Sequence, residues 1–315
     1  MDTRDDIGRI ERFFSDRGSA RFEGPALAVF AHPDDETIAC GGQLSRFADL
    51  ELIVVTDGAP PSEAYATRKG FASVEVYAEA RWAELVAALE AAGFGPGRAR
   101  CYGVADGSAC RRILAIVERL EADLEGAELV LTHCYEGGHT DHDAVAMAVH
   151  AACAAIAPER RPVIVETPLY SLQGGRWTPQ VFPAGGPGGI VTAPLGPQQR
   201  AMKRLMKACY RTQRDALRRF ADHEELFRIA PSYDFGRLPN DGALLYETSG
   251  ALSGSQWLTI ARACAAFLDR ARGSDPEISL DESVAVLRSL VASVAPAPPP
   301  TAVTAAAPPR TRDRR

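Results

Sequence analysis

Five short apolar runs, each followed by a stretch with helical spacing, constrain this chain more than any other feature. "ALAVFA" (26–31), "LIVVT" (52–56), "ARCYGVA" (99–105), "LVLTH" (129–133) and "PVIVET" (162–167) read as strands. Their apolarity is continuous rather than alternating, which fits strands covered on both faces, as in a parallel sheet. Residues 37–49, 73–92, 108–124 and 141–156 read as the intervening helices, and Gly93 stands where a helix C-terminal glycine belongs. Strand and helix in alternation predict an α/β fold, doubly wound, with a mostly parallel sheet and helices on both faces.

The texture changes after Pro168. "QGGRWTPQVFPAGGPGGIVTAPLG" reads as loops and short strands, followed by a helix near 198–218, a strand at 244–248 and helices at 256–272 and 281–293. The division this suggests is an N-terminal helical segment (1–23), an α/β core (24–170), a mixed C-terminal extension completing the same domain and its pocket (171–294), and a tail (295–315). The tail is Pro, Ala, Thr and Arg with almost nothing to bury and reads as disordered. The net charge of −6 lacks the basic footprint of a nucleic-acid or membrane-surface protein. The start reads as having no secretory signal, and no stretch approaches a membrane span. Seven scattered cysteines without a CxxC pair read as reduced thiols, which points to the cytoplasm.

Ligands bind at the carboxyl ends of strands in open α/β sheets. "AHPDDETIACGG" (31–42) follows the first strand and "HCYEGGHTDHD" (133–143) follows the fourth, so both polar clusters lie on one edge. Alone, Asp34 or Asp35 reads as a helix N-cap, and His139 and His142 as surface histidines. Together they read as a metal site. A catalytic zinc takes three N or O ligands and keeps one position for water. His32, Asp35 and His142 supply two imidazoles and a carboxylate, and Asp34 is then placed to accept a proton from the water. His139 is the nearby acid, with Asp141 expected to fix its ring by a hydrogen bond. A cation there also explains two adjacent carboxylates at a strand end. The same donor set suits Fe2+ or another divalent metal. His133, His150 and His223 read as non-ligands.

"AHPDDETIACGG" with "GGHTDHD" resembles the PIG-L/LmbE-like N-acetylglucosaminyl-phosphatidylinositol deacetylase family over about residues 25–170. The resemblance implies a Rossmann-like fold and zinc-dependent removal of an N-acetyl group, usually from an N-acetylglucosamine-containing molecule. It implies metal ligation by His32, Asp35 and His142, base catalysis by Asp34, stabilisation or protonation of the intermediate by His139, and support of that histidine by Asp141. By the same resemblance Arg81 contacts the distal part of the substrate, Asp106 meets sugar hydroxyls, and Gly137 stands where some members carry a tyrosine, leaving Tyr135 as the nearest substitute. The expected partner is a small N-acetylated molecule, and a homo-oligomer is compatible with the sequence. Three other readings stay open: an amidase cutting a larger acyl group from a thiol or antibiotic conjugate, a non-catalytic metal- or small-molecule-binding homologue, and an iron oxygenase using "HTD", which would leave "HPDDE" unexplained.

Overall fold

The computed structural model describes residues 3–16, 20–184 and 188–272. In chain order the elements are α1 (Thr3–Ser15), β1 (Phe22–Phe30), α2 (Asp35–Cys40), β2 (Phe47–Thr56), α3 (Glu63–Arg68), α4 (Val74–Ala91), β3 (Ala99–Val104), α5 (Ile113–Asp123), β4 (Leu129–His133) and α6 (Thr140–Ala155). There follow β5 (Val163–Thr167), β6 (Tyr170–Gln173), β7 (Arg176–Pro179), β8 (Ile190–Pro194), α7 (Pro197–Cys209), α8 (Arg214–Leu217), β9 (Glu224–Ile229), α9 (Leu245–Thr248) and α10 (Gly254–Arg272).

Seven strands form one sheet in the order β3-β2-β1-β4-β5-β9-β8, and β6 and β7 form a separate hairpin. The first five are mutually parallel, while β9 runs antiparallel to β5 and β8 antiparallel to β9. The continuous apolar runs follow from this. Along β1, Leu27 and Val29 enter the core under α5, α6 and α10, whereas Ala26, Ala28 and Phe30 enter the core under α1, α2, α4 and α7. Successive side chains point to opposite faces, and both faces are covered. Phe14 of α1 stacks on Phe227 of β9 with centroids 4.1 Å apart, which fixes the N-terminal helix against the extension.

Some segments differ from their sequence reading. Where the spacing predicts one helix over 37–49, α2 stops at Cys40 and β2 begins at Phe47. Gly42 is the reason: a Cβ there would stand 2.6 Å from the Leu195 side chain, so the chain turns away where the extension packs closest. The 198–218 helix breaks at Tyr210, whose ψ of 74° is not helical. "LLYET" forms the short helix α9 instead of a strand, and the strand that completes the sheet is β9, whose mixed "EELFRI" carries no strand signature. The helix read at 281–293 and the tail lie outside the described residues. Among the described residues no helix is long and apolar enough to cross a membrane.

The strand order reverses between β1 and β4, which are neighbours although their next partners lie on opposite sides. The crevice outside their carboxyl ends is the place where an open α/β sheet binds ligands.

Candidate functional site

After β1 the chain makes a tight turn. The carbonyl of Ala31 accepts from the backbone N–H and hydroxyl of Thr56, and the Ala31 N–H donates to Nε2 of His133 at 2.8 Å. His133, last residue of β4, thereby joins the two strand ends, and its ring stacks on His142 with centroids 4.1 Å apart. His32 follows. Its backbone N–H donates to Asp35 Oδ2 at 2.7 Å, aiming that carboxylate back along the turn. From the other strand, Glu136 and Asp143 shape the loop: Glu136 accepts from the N–H groups of Leu169 and Tyr170, and Asp143 from those of Glu136 and Gly137. A Cβ on Gly138 would stand 1.9 Å from the Tyr170 carbonyl oxygen, so only glycine passes there. α6 then presents His142 from its first turn.

The result is a triangle of three donor atoms. His32 Nδ1 lies 3.1 Å from Asp35 Oδ2 and 3.2 Å from His142 Nε2, and those last two are 3.4 Å apart. Ligand atoms about 2.0–2.1 Å from a tetrahedral zinc lie about 3.3 Å from one another. The residues therefore fit a small divalent cation. His32 Nε2 lies 3.3 Å from both Asp106 Oδ1 and Asp141 Oδ2, which places its proton there and leaves the Nδ1 lone pair for the triangle. The proton this tautomer logic leaves on Nδ1 of His142 has no acceptor among the described residues.

The charge balance points the same way. Asp35, Asp106 and Asp141 contact His32, and Asp34 pairs with Arg81. Burial disfavours a charged His32, yet Asp35 and Asp106 outweigh it and raise its pKa well above the usual imidazole range. Burial likewise opposes ionised Asp35, but His142 and His32 hold it well below the carboxylate range. Asp34 is pushed up by burial and by Asp35, against the pull of Arg81. A cation beside these groups satisfies what protons and Arg81 satisfy only in part.

Asp34 occupies the N-cap position of α2, yet its side chain makes no cap bond; it accepts from Arg81 Nη2 at 3.2 Å. His139 caps α6: its Nδ1 accepts from the backbone N–H of Asp141 at 3.2 Å, so Nε2 carries the proton of the neutral ring. Burial and the neighbouring His32 lower its pKa to about 4. His139 and His32 meet edge to face with centroids 4.7 Å apart, which sets the His139 ring beside the triangle.

Three of the expected site residues make contacts that the sequence did not show. Asp141 holds His139 through its backbone N–H and not through its carboxylate, which accepts from the N–H groups of Gly107 and Ala109, at 2.6 and 2.9 Å, and faces His32. Its place one position inside α6 turns it toward the loop after β3. Arg81 is buried and pairs with Asp34. It shares the inward face of α4 with Tyr77 and Leu85, at a spacing of four, and donates to Gly58, Pro33 and Asp34. Tyr135 points away from the site. Its hydroxyl donates to the Arg237 carbonyl and accepts from Trp257 Nε1 within the core under α10. Asp106 adjoins the triangle through His32, as given above. The tyrosine near the site is Tyr170, which no local pattern marks: its ring stands edge-on to His142 at 5.3 Å, and its hydroxyl has no hydrogen-bond partner among the described residues.

Residues 27–153 match the family PIG-L, GlcNAc-PI de-N-acetylase. Among solved structures, a deacetylase–teicoplanin complex from the biosynthesis pathway of teicoplanin is 17% identical, with a TM-score of 0.50, covering 65% of this chain and 96% of that one. A deacetylase triple mutant from the teicoplanin biosynthetic pathway is 19% identical, with the same TM-score and the same coverages. An N,N'-diacetylchitobiose deacetylase from Pyrococcus horikoshii is 15% identical, with a TM-score of 0.45, covering 73% of this chain and 94% of that one. For the two structures with a TM-score of 0.50 the likeness is one of fold. No curated protein matches the chain. Residues 27–153, which carry both polar clusters, are thus similar to the PIG-L family.

Proposed function

We propose that the chain is a metal-dependent N-deacetylase, hydrolysing the N-acetyl group of an N-acetylglucosamine-type amino sugar or a related small molecule. The observation that carries this reading is the donor triangle of His32, Asp35 and His142 where the strand order reverses, with Asp34 close enough to feel the charges of Asp35 and His32. The family match over the same residues supports it. Zinc is the ion we assign, because two imidazoles and one carboxylate with a fourth position free for water form a known catalytic zinc set. When bound, such an ion polarises an amide carbonyl and makes water acidic enough to lose a proton near neutrality.

The chain's own residues do the rest. Asp34, held from behind by Arg81, takes the proton from the attacking water. His139, neutral and with Nδ1 occupied, offers Nε2–H as a hydrogen-bond donor to the oxyanion. Asp34 then delivers its proton to the departing nitrogen, the C–N bond breaks, and acetate and a free amine leave. The seven cysteines are free thiols, which supports a reducing, cytoplasmic setting.

The experiment is acetate release from a panel of N-acetylated amino sugars by zinc-reconstituted protein. Release that stops on chelation and returns with zinc is expected. A protein that holds zinc yet frees no acetate from any member of the panel would refute the reading.

A further inference from the structure

α2 carries Asp35 in its first position and is six residues long, all buried. A helix so short has little stability of its own, and Asp34 gives it no side-chain cap. What holds it comes from elsewhere. Lys203, on α7, sends Nζ to the Ile38 carbonyl at 2.7 Å and to Glu225 Oε1 of β9 at 2.7 Å. Glu225 Oε1 also accepts from the Gly42 N–H at 2.8 Å, just past the end of α2, and Gln199 donates to the Gly42 carbonyl at 3.1 Å. Tyr210, where α7 ends, donates its hydroxyl to Glu36. Every one of these groups lies beyond residue 153, outside the family-matched domain.

Lys203 and Glu225 have no exposed side-chain surface. A buried ion pair is a poor way to gain stability, since desolvation offsets the attraction; well-packed apolar side chains would serve as well or better. What it provides that apolar packing does not is direction. An amine fixed between one carboxylate and one carbonyl sets the height of α2 to within a fraction of an ångström, and the triangle's edges of 3.1 to 3.4 Å tolerate no more. Gly42 belongs to the same arrangement, because a Cβ there would strike Leu195 and force the turn away from Glu225.

The geometry points to Lys203, paired with Glu225, as a positioning residue for Asp35: the C-terminal extension clamps the helix that carries a metal ligand, acting through α2 without touching the reacting atoms. This rests on the metal centre of the proposed function, and the test separates the two.

The full-length chain is compared with Lys203→Met and with Lys203→Met/Glu225→Gln, the second of which leaves no unpaired buried charge. Zinc affinity is measured by competition with a chromophoric chelator, and the metal-free melt is followed by circular dichroism. Affinity at least tenfold weaker in the double variant, with a cooperative metal-free melt and with acetate release restored by excess zinc, is the expected result. Undiminished affinity in the folded double variant overturns the clamp and leaves the metal centre standing. Failure of the unaltered chain to bind zinc overturns both. Should neither variant fold, Tyr210→Phe, which removes one hydroxyl from Glu36, must weaken zinc binding, and wild-type affinity there overturns the clamp.

Discussion

Arg81 Nη2 donates to Asp34 Oδ2 at 3.2 Å while Nη1 donates to the Gly58 carbonyl at 2.7 Å, so one guanidinium ties the candidate base to the loop after β2. The arrangement uses the planar fork of arginine and a lysine cannot reproduce it. Arg81→Met should destabilise the fold by about 3–5 kcal/mol, because a buried carboxylate loses its cation. Urea unfolding is the measurement, and an unchanged midpoint would show that Asp34 does not depend on Arg81.

Asp34→Ala should leave zinc bound and reduce turnover roughly 10²- to 10⁴-fold, the range for loss of a general base. Metal content by atomic emission, read beside acetate release, separates this from loss of a ligand. A variant with full zinc and full turnover would remove Asp34 from the chemistry.

Asp141→Asn should weaken zinc binding by roughly 10- to 100-fold, the usual cost of removing the carboxylate behind a ligating histidine. Asparagine keeps one acceptor for Gly107 or Ala109 but no longer attracts the His32 proton. Titration with a competing chelator reports it, and equal affinity in the two proteins would mean that His32 is oriented by Asp106 alone.

The two tyrosines should separate cleanly. Tyr135→Phe leaves Trp257 Nε1 without its acceptor and should cost about 1–3 kcal/mol of stability at unchanged kcat. Tyr170→Phe removes a hydroxyl with no hydrogen-bond partner among the described residues and should lower kcat with little change in stability. The reverse pattern, a catalytic Tyr135 and a silent Tyr170, would return the site to the arrangement expected from sequence.

Stability should also fall on acidification through His150, whose ring lies among Tyr233 and Phe235. Burial lowers its pKa from 6.5 to about 4. The unfolded chain takes up a proton as pH drops through 6.5, and the folded protein does not until about pH 4. The stabilisation is complete above 6.5 and is lost between those values, by up to about 1.4 kcal/mol per pH unit. Denaturant midpoints of His150→Phe and the parent between pH 7 and 4 test it; equally steep curves would exonerate His150.

The sequence by itself determined the parallel core and the meeting of His32, Asp35 and His142. Both follow from local rules: unbroken apolar runs require two covered faces, and parallel strands bring their following loops to one edge. Strand β9 was not legible, because "EELFRI" is a strand only through its partners β5 and β8. Nor were the inward turn of Arg81, the outward turn of Tyr135, the approach of Tyr170 or the reach of Lys203 to Ile38. Each depends on which distant segment arrives opposite a given side chain. Periodicity along a chain says which residues share a face, while the neighbour across that face is chosen only when non-local elements pack, and in this protein that choice assigned the partners of the site.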